Sequence, residues 1–139
     1  MKIGITASAF DLLHSGHVLM LQEARTVCDY LIAAIHVDPS LEHNDKNKPI
    51  QSIVERFSQV DAIRYVDKVI PYQTELELID IIQLYRVDIR VIGEEYRYKN
   101  FTGSRMDIET YFNSRKHNFS SSNLREKVAN IDISGKPDN

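Results

Sequence analysis

The sequence predicts an α/β fold: a single-domain, Rossmann-like parallel sheet with helices on both faces. Three observations lead there. Short apolar runs rich in β-branched residues alternate with amphipathic stretches of helical length. Helix-starting residue pairs stand ahead of two of those stretches. And a chain of 139 residues, 42% of them hydrophobic, can bury one sizeable core but not two ordinary ones.

In chain order, "KIGITA" and "DYLIAAIHV" read as buried strands. Between them "HVLMLQEARTV" puts Val18, Leu21, Ala24 and Cys28 on one helical face, which makes a β-α-β unit. "SIVERFSQVDAI" opens with Ser52 and Glu55 in capping-box spacing, and "DKVIPY" follows as a brief strand ended by Pro71. Thr74 and Glu77 form a second box ahead of "LELIDIIQLY", and "DIRVIG" is a further buried strand closed by Gly93. Strands separated by such helices favour parallel pairing with right-handed crossovers. "EEYRYKNFTGSR", polar with aromatics interleaved, reads as a long loop, "DIETYFN" as a last strand and "FSSSNLREKV" as a capped C-terminal helix. One domain is expected over residues 1–129, followed by a polar tail, residues 130–139, that carries Gly, Pro and charges.

Seventeen Lys and Arg against 20 Asp and Glu leave a net charge of −3, no global field to hold a nucleic acid or an anionic membrane. Any phosphate binding must be local. The lone Cys28 can form neither an internal disulfide nor a CxxC metal site and suits a small buried position. The opening "MKIGITASAF" lacks a long apolar signal region, and no apolar run is long enough to span a bilayer. A soluble, cytoplasmic protein with no nucleic-acid or membrane partner is expected.

The chemistry concentrates in "FDLLHSGH", Phe10 to His17. His14 and His17 follow the first strand, Gly16 lets the backbone approach a ligand, and a helix then begins. Free N–H groups and the positive end of the helix dipole make an anion site there, to which two imidazoles add donors. A zinc site and a merely structural cap are the competing readings of the pair. His36, His43 and His117 are scattered along the chain, and no other His or Cys cluster stands at ligand spacing. In "FSSSNLREKV" one of Ser120, Ser121 and Ser122 suits an N-cap, and the other hydroxyls face whatever lies beyond the helix end. Lys46 and Lys48 in "NDKNKP" are either a solvated surface pair or phosphate ligands, and Arg56 and Arg64 either helix-surface charges or anion ligands.

"AFDLLHSGH" resembles the signature of the H-x-G-H nucleotidyltransferases, and "DLLHSGHVLMLQEARTVCDYLIAAI", "IRYVDKVIP" and "FSSSNLR" extend the resemblance toward the glycerol-3-phosphate cytidylyltransferase branch as far as about Val128. The resemblance implies in-line attack by an acceptor phosphate on the α-phosphorus of CTP, giving a CDP-alcohol and pyrophosphate with no covalent enzyme intermediate. It implies His14, His17 and Lys46 as catalytic residues. Nucleotide binding then falls to Ala9, Phe10, Gly16, Lys48, Gly93, Glu95, Arg115 and Ser120 to Ser122, and acceptor binding to Asp11, Arg56 and Arg64. It further implies Mg2+ carried mainly by the triphosphate, with no metal ligand required from the chain, and a homodimer. Two departures from the family pattern stand out. "SAFD" replaces a family glycine and threonine by Ser8 and Ala9, and "TELELIDII" offers Leu78 where a lysine grips the glycerol-phosphate acceptor. Adenylyl transfer on the same fold, and a nucleotide-binding module without turnover, are the alternatives. "RYVDKVIP" and the compact length favour CTP.

Overall fold

The computed structural model describes residues 1–114 and 121–131. Within them lie five strands and four helices: β1 Ile3–Ser8, α1 Ser15–Arg25, β2 Tyr30–His36, α2 Ile53–Asp61, β3 Lys68–Tyr72, α3 Glu75–Leu84, β4 Ile89–Gly93, β5 Glu109–Asn113 and α4 Ser121–Ala129. All strand pairs are parallel, in the order β3-β2-β1-β4-β5. This is the Rossmann-like sheet that the alternation predicts.

Buried strands read as continuous apolar runs, yet their side chains still alternate between faces. Leu31, Ala33 and Ile35 of β2 pack with Leu21, Ala24 and Val60 from α1 and α2. Ile32 and Ala34 of the same strand pack with Leu78, Ile81 and Ile82 from α3 on the opposite face. Cys28 joins the first of these cores, its Sγ 3.4 Å from the Ala24 carbonyl oxygen. Both capping boxes form: Ser52 accepts from the Glu55 N–H at 3.1 Å and Thr74 from the Glu77 N–H at 3.2 Å, with each glutamate answering in return.

Three aspartates that stand immediately before strands pin the neighbouring strand. Asp29 accepts from the Lys2 N–H, Asp67 from that of Leu31 and Asp88 from that of Ile3, at 2.7 to 2.8 Å. One boundary differs from expectation. β3 runs through Pro71, which pairs opposite Ile35, to Tyr72. The ladder tolerates a residue without an N–H because β3 is an edge strand and needs hydrogen bonds on one side only. The first helix also starts earlier than its apolar periodicity suggests, at Ser15, for a reason that lies in the site.

Candidate active site

The strand order places β1 and β4 side by side with their helices on opposite faces, and a crevice opens where the order reverses, beyond the carboxyl ends of the strands. A cleft of about 890 Å3 lies there, floored by the ends of β1 and β4 and roofed by the loop that carries Tyr96 to Thr102.

The turn from β1 into α1 is tightly shaped. Phe10 and Leu12 both take φ of 51°, a left-handed conformation that costs a side-chain-bearing residue about 1 kcal/mol or more. Burial holds them: Phe10 is fully buried, with its ring centroid 5.7 Å from that of His17, and Leu12 donates its N–H to Gln51 Oε1 at 2.9 Å. The chain then enters α1 through a capping box built of two histidines. His14 is the N-cap, and its Nδ1 accepts from the Gly16 N–H at 2.9 Å, while His17 Nδ1 accepts from the His14 N–H at 3.1 Å. Because each Nδ1 accepts, each neutral ring carries its proton on Nε2. Burial, reinforced by the facing His14, pushes the His17 pKa down to about 4 against a smaller opposing pull from Asp11, so His17 is a neutral donor at pH 7. The two rings lie 4.0 Å apart and both line the cleft.

Long-range polar contacts brace this turn. Asp11, nearly buried, accepts from the Ile50 and Gln51 N–H groups at 2.9 Å each and pairs with Arg125 of α4. Burial alone would raise its pKa, but these donors outweigh it and hold the carboxyl below the ordinary range. Arg56 of α2 is 2% exposed and donates to four carbonyls, those of Gln51, Ala9, His36 and Val37, at 2.7 to 3.1 Å. It ties the ends of β1 and β2 to the start of α2.

Of the residues singled out in the sequence, His14, His17, Ala9, Gly16, Lys46, Gly93 and Glu95 converge on the cleft. Gly93 leaves room for a close approach: a Cβ there would fall 2.4 Å from the Glu95 carboxylate, which folds back over the strand end and would have to swing aside. Phe10 and Asp11 instead border a smaller hollow of about 180 Å3, shared with Lys46, Asn47 and Arg125. Arg56 does not reach the cleft; its donors are taken by backbone carbonyls, so the acceptor role expected for it gives way to a structural one. Arg64 is exposed beside the Tyr65 ring, and Lys48 is exposed; neither lines the cleft. Leu78, where a gripping lysine was sought, is 1% exposed in the α3 core, so that position presents nothing to an acceptor. Arg115 and Ser120 lie outside the described residues, as do the side chains of Ser121 and Ser122, whose backbone opens α4.

The far end of the cleft holds groups that sequence reasoning passed over. Arg90 of β4 is buried, donates to the Thr102 carbonyl and stacks 5.1 Å from the Phe101 ring. His36, at the end of β2, is buried and stacks on Tyr72 with ring centroids 4.5 Å apart. Glu75 accepts from His43 Nε2 at 3.2 Å, and although burial would raise its pKa, Thr102 and the histidines hold it low. The signal was present: a charged or imidazole side chain inside an otherwise apolar strand, as in "DIRVIG" and "AAIHV", needs a partner or a ligand.

Comparison with known proteins bears on the family and the fold. The family model described as cytidylyltransferase-like matches residues 5–134. The glycerol-3-phosphate cytidylyltransferase of Bacillus subtilis is 33% identical over 132 residues, covering 94% of this chain and 100% of that protein. The bifunctional protein HldE of Gluconacetobacter diazotrophicus is 33% identical over 105 residues, 75% of this chain; the match takes in only 22% of that longer protein. Among solved structures, the lipopolysaccharide core biosynthesis protein of Thermoplasma volcanium superposes with a TM-score of 0.58 at 20% identity, covering 99% of this chain and 93% of that one. At that identity it speaks for the fold.

Proposed function

We propose, from the premise that this chain belongs to the cytidylyltransferase-like family and is a nucleotidyltransferase, that it transfers CMP from CTP to a small phosphorylated alcohol, glycerol-3-phosphate first among them. The observation that carries the reading is the histidine capping box. It fixes two Nε2–H donors beside the N-terminus of α1 and Lys46, in a cleft of nucleotide size. An acceptor phosphate oxygen attacks the α-phosphorus of CTP, the new P–O bond forms in line with the bond to the β-phosphate, and that bond breaks to release pyrophosphate. The acceptor is already a nucleophile at neutral pH, so the work is positioning and charge neutralisation. His17, neutral, donates a proton-bearing nitrogen toward charge developing at the α-phosphate without giving its proton away; His14 flanks it, and Lys46 neutralises the phosphates. CTP enters as its magnesium complex. The chain's own contribution to that ion is small, since Asp11 already takes two backbone amides and Arg125.

Gly93 and Glu95 sit where ribose and base would rest, and the His36, Glu75 and Arg90 end of the cleft takes the acceptor. The B. subtilis relative, similar over its whole length, supports both CTP and glycerol-3-phosphate. A cytoplasmic setting and a homodimer complete the proposal. Among the described residues no helix is long and apolar enough to cross a membrane. The test is pyrophosphate release with CTP and ATP across a panel of phosphorylated alcohols, amines and sugars. Turnover with CTP and a phosphorylated alcohol is expected. Faster turnover with ATP would assign adenylyl transfer instead, and none with any pair would leave a binding module.

A further inference from the structure

We propose that the acceptor end of the cleft holds a second, protein-bound divalent cation of the zinc class, ligated by His36, Glu42 and Glu75 with His43 beside them, separate from the magnesium that travels with the nucleotide. Ligand atoms of His36, Glu42 and Glu75 all lie within 4.8 Å of one another. Three elements bring them together: His36 ends β2, Glu42 follows the short turn after it, and Glu75 opens α3.

The hydrogen-bond arithmetic at His36 is what points to a metal. Its Nε2 lies 3.2 Å from the carbonyl oxygen of Gln73, and a carbonyl only accepts, so the ring proton belongs on Nε2. Nδ1 then turns its lone pair toward Glu75 Oε1 at 3.6 Å. With the ring neutral, the Nδ1 lone pair faces a carboxylate oxygen across a gap too long for a good N–H···O bond, while Glu42 Oε1 stands 4.0 Å from Nε2. The spacing of Nδ1 from Glu75 matches the edge of a tetrahedral zinc site, roughly 3.3 Å for ligand bonds of about 2.0–2.1 Å. His43 Nε2 is hydrogen-bonded to the same Glu75 oxygen at 3.2 Å and so orients that carboxylate from outside the coordination sphere.

The surroundings fit a metal site as well. A ligating imidazole characteristically donates its other N–H to a backbone carbonyl, which fixes its tautomer, and Gln73 does this for His36. The ring is further held by its stack on Tyr72. Glu42 Oε1 caps the Glu75 N–H at 3.0 Å, so the two carboxylates are already oriented with respect to one another. His36, His43 and Glu75 line the cleft, which leaves an open coordination position facing the acceptor. Mixed nitrogen and oxygen ligands with an open position suit zinc or manganese better than magnesium, which prefers oxygen alone.

The experiment is titration of metal-stripped protein with Zn2+, Mn2+ and Mg2+ in the absence of nucleotide, by calorimetry and by the shift in melting temperature. One equivalent of Zn2+ per chain is expected, bound far more tightly than Mg2+. Glu75→Gln and His36→Asn each remove a ligand and should weaken it by more than the roughly 10-fold to 100-fold that loss of an outer-shell partner costs. Glu42→Gln, at a more exposed position, provides the same reading should either of those variants fail to fold. His17→Gln should bind Zn2+ as the wild type does. No stoichiometric Zn2+ binding, or binding that survives all three ligand substitutions, would overturn the proposal; loss on His17→Gln alone would move the metal to the nucleotide site and overturn it equally. Because no nucleotide is present, the outcome is independent of whether CTP is the substrate.

Discussion

His17→Gln separates what the imidazole does for the helix from what it does for the reaction. Glutamine at the third helical position still accepts from the N-cap N–H, so the capping box survives and stability at pH 8 should stay within about 1 kcal/mol of wild type. The pH dependence should not survive. With the His17 pKa depressed from 6.5 to about 4 in the folded chain, the unfolded state binds a proton across that window and the folded state does not. Stability is therefore unaffected by this group above pH 6.5 and falls as pH drops from 6.5 toward 4. At about 1.4 kcal/mol per pH unit, the loss is bounded at about 3 kcal/mol. Urea denaturation of both proteins at a series of pH values reads the difference directly: the variant should lose less stability over this window. Its turnover should drop by about 10²–10³-fold, the usual effect of removing one donor to a developing oxyanion. An unchanged pH dependence would mean that His17 is not held neutral by burial. Near-normal turnover would reduce it to a cap.

Arg56→Met should strand four carbonyl oxygens, two of them at strand ends, and cost at least about 3 kcal/mol in urea denaturation; full stability with a raised acceptor KM would instead restore the ligand role expected from sequence. Gly93→Ala forces the Glu95 carboxylate, a flexible group, out of its place 2.4 Å from the new methyl, so the melting temperature should barely move while the KM for CTP rises. Gly4→Ala pushes a methyl to within 2.8 Å of Cys28 Sγ inside the core and should destabilise by about 1–3 kcal/mol, much of it recovered in a Cys28→Ala background. Strict additivity of those two substitutions would contradict the packing described.

What the sequence made legible is local. A capping box spans three residues and an apolar strand five or six, so Ser52 with Glu55, Thr74 with Glu77 and the order of the strands could be read directly, and so could the pair His14 and His17. The misreadings concern partners distant in sequence. Arg56 looks like a surface helix charge until the ends of β1 and β2 are brought against it, 47 and 20 residues away. Leu78 looks like a substituted ligand until α3 is rotated so that it faces Ile5 and Ile32. Pro71 ends a strand only if that strand has neighbours on both sides, and edge position is a property of the whole sheet. His36, Glu42 and Glu75 belong to three different elements, and only the parallel register of β2 and β3, with His36 opposite Tyr72, brings them together.

The histidine pair shows why structural and catalytic readings of one motif need not compete. Serine, threonine, aspartate or asparagine caps a helix better than histidine does, so the helix alone gives no reason for an imidazole at the N-cap. What an imidazole adds is a second nitrogen on the far side of the ring. When Nδ1 accepts from the helix, the proton is forced to Nε2, and the ring becomes a donor of fixed direction without having to be charged. Burial beside a second imidazole then keeps His17 neutral, which prevents repulsion between two cations 4.0 Å apart. Hydroxyl or carboxylate caps would satisfy the backbone and leave nothing directed at the cleft. The cap is thus the device that orients the donors, and Gly16, buried at the helix start and lining the same cleft, supplies the N–H that fixes the His14 ring.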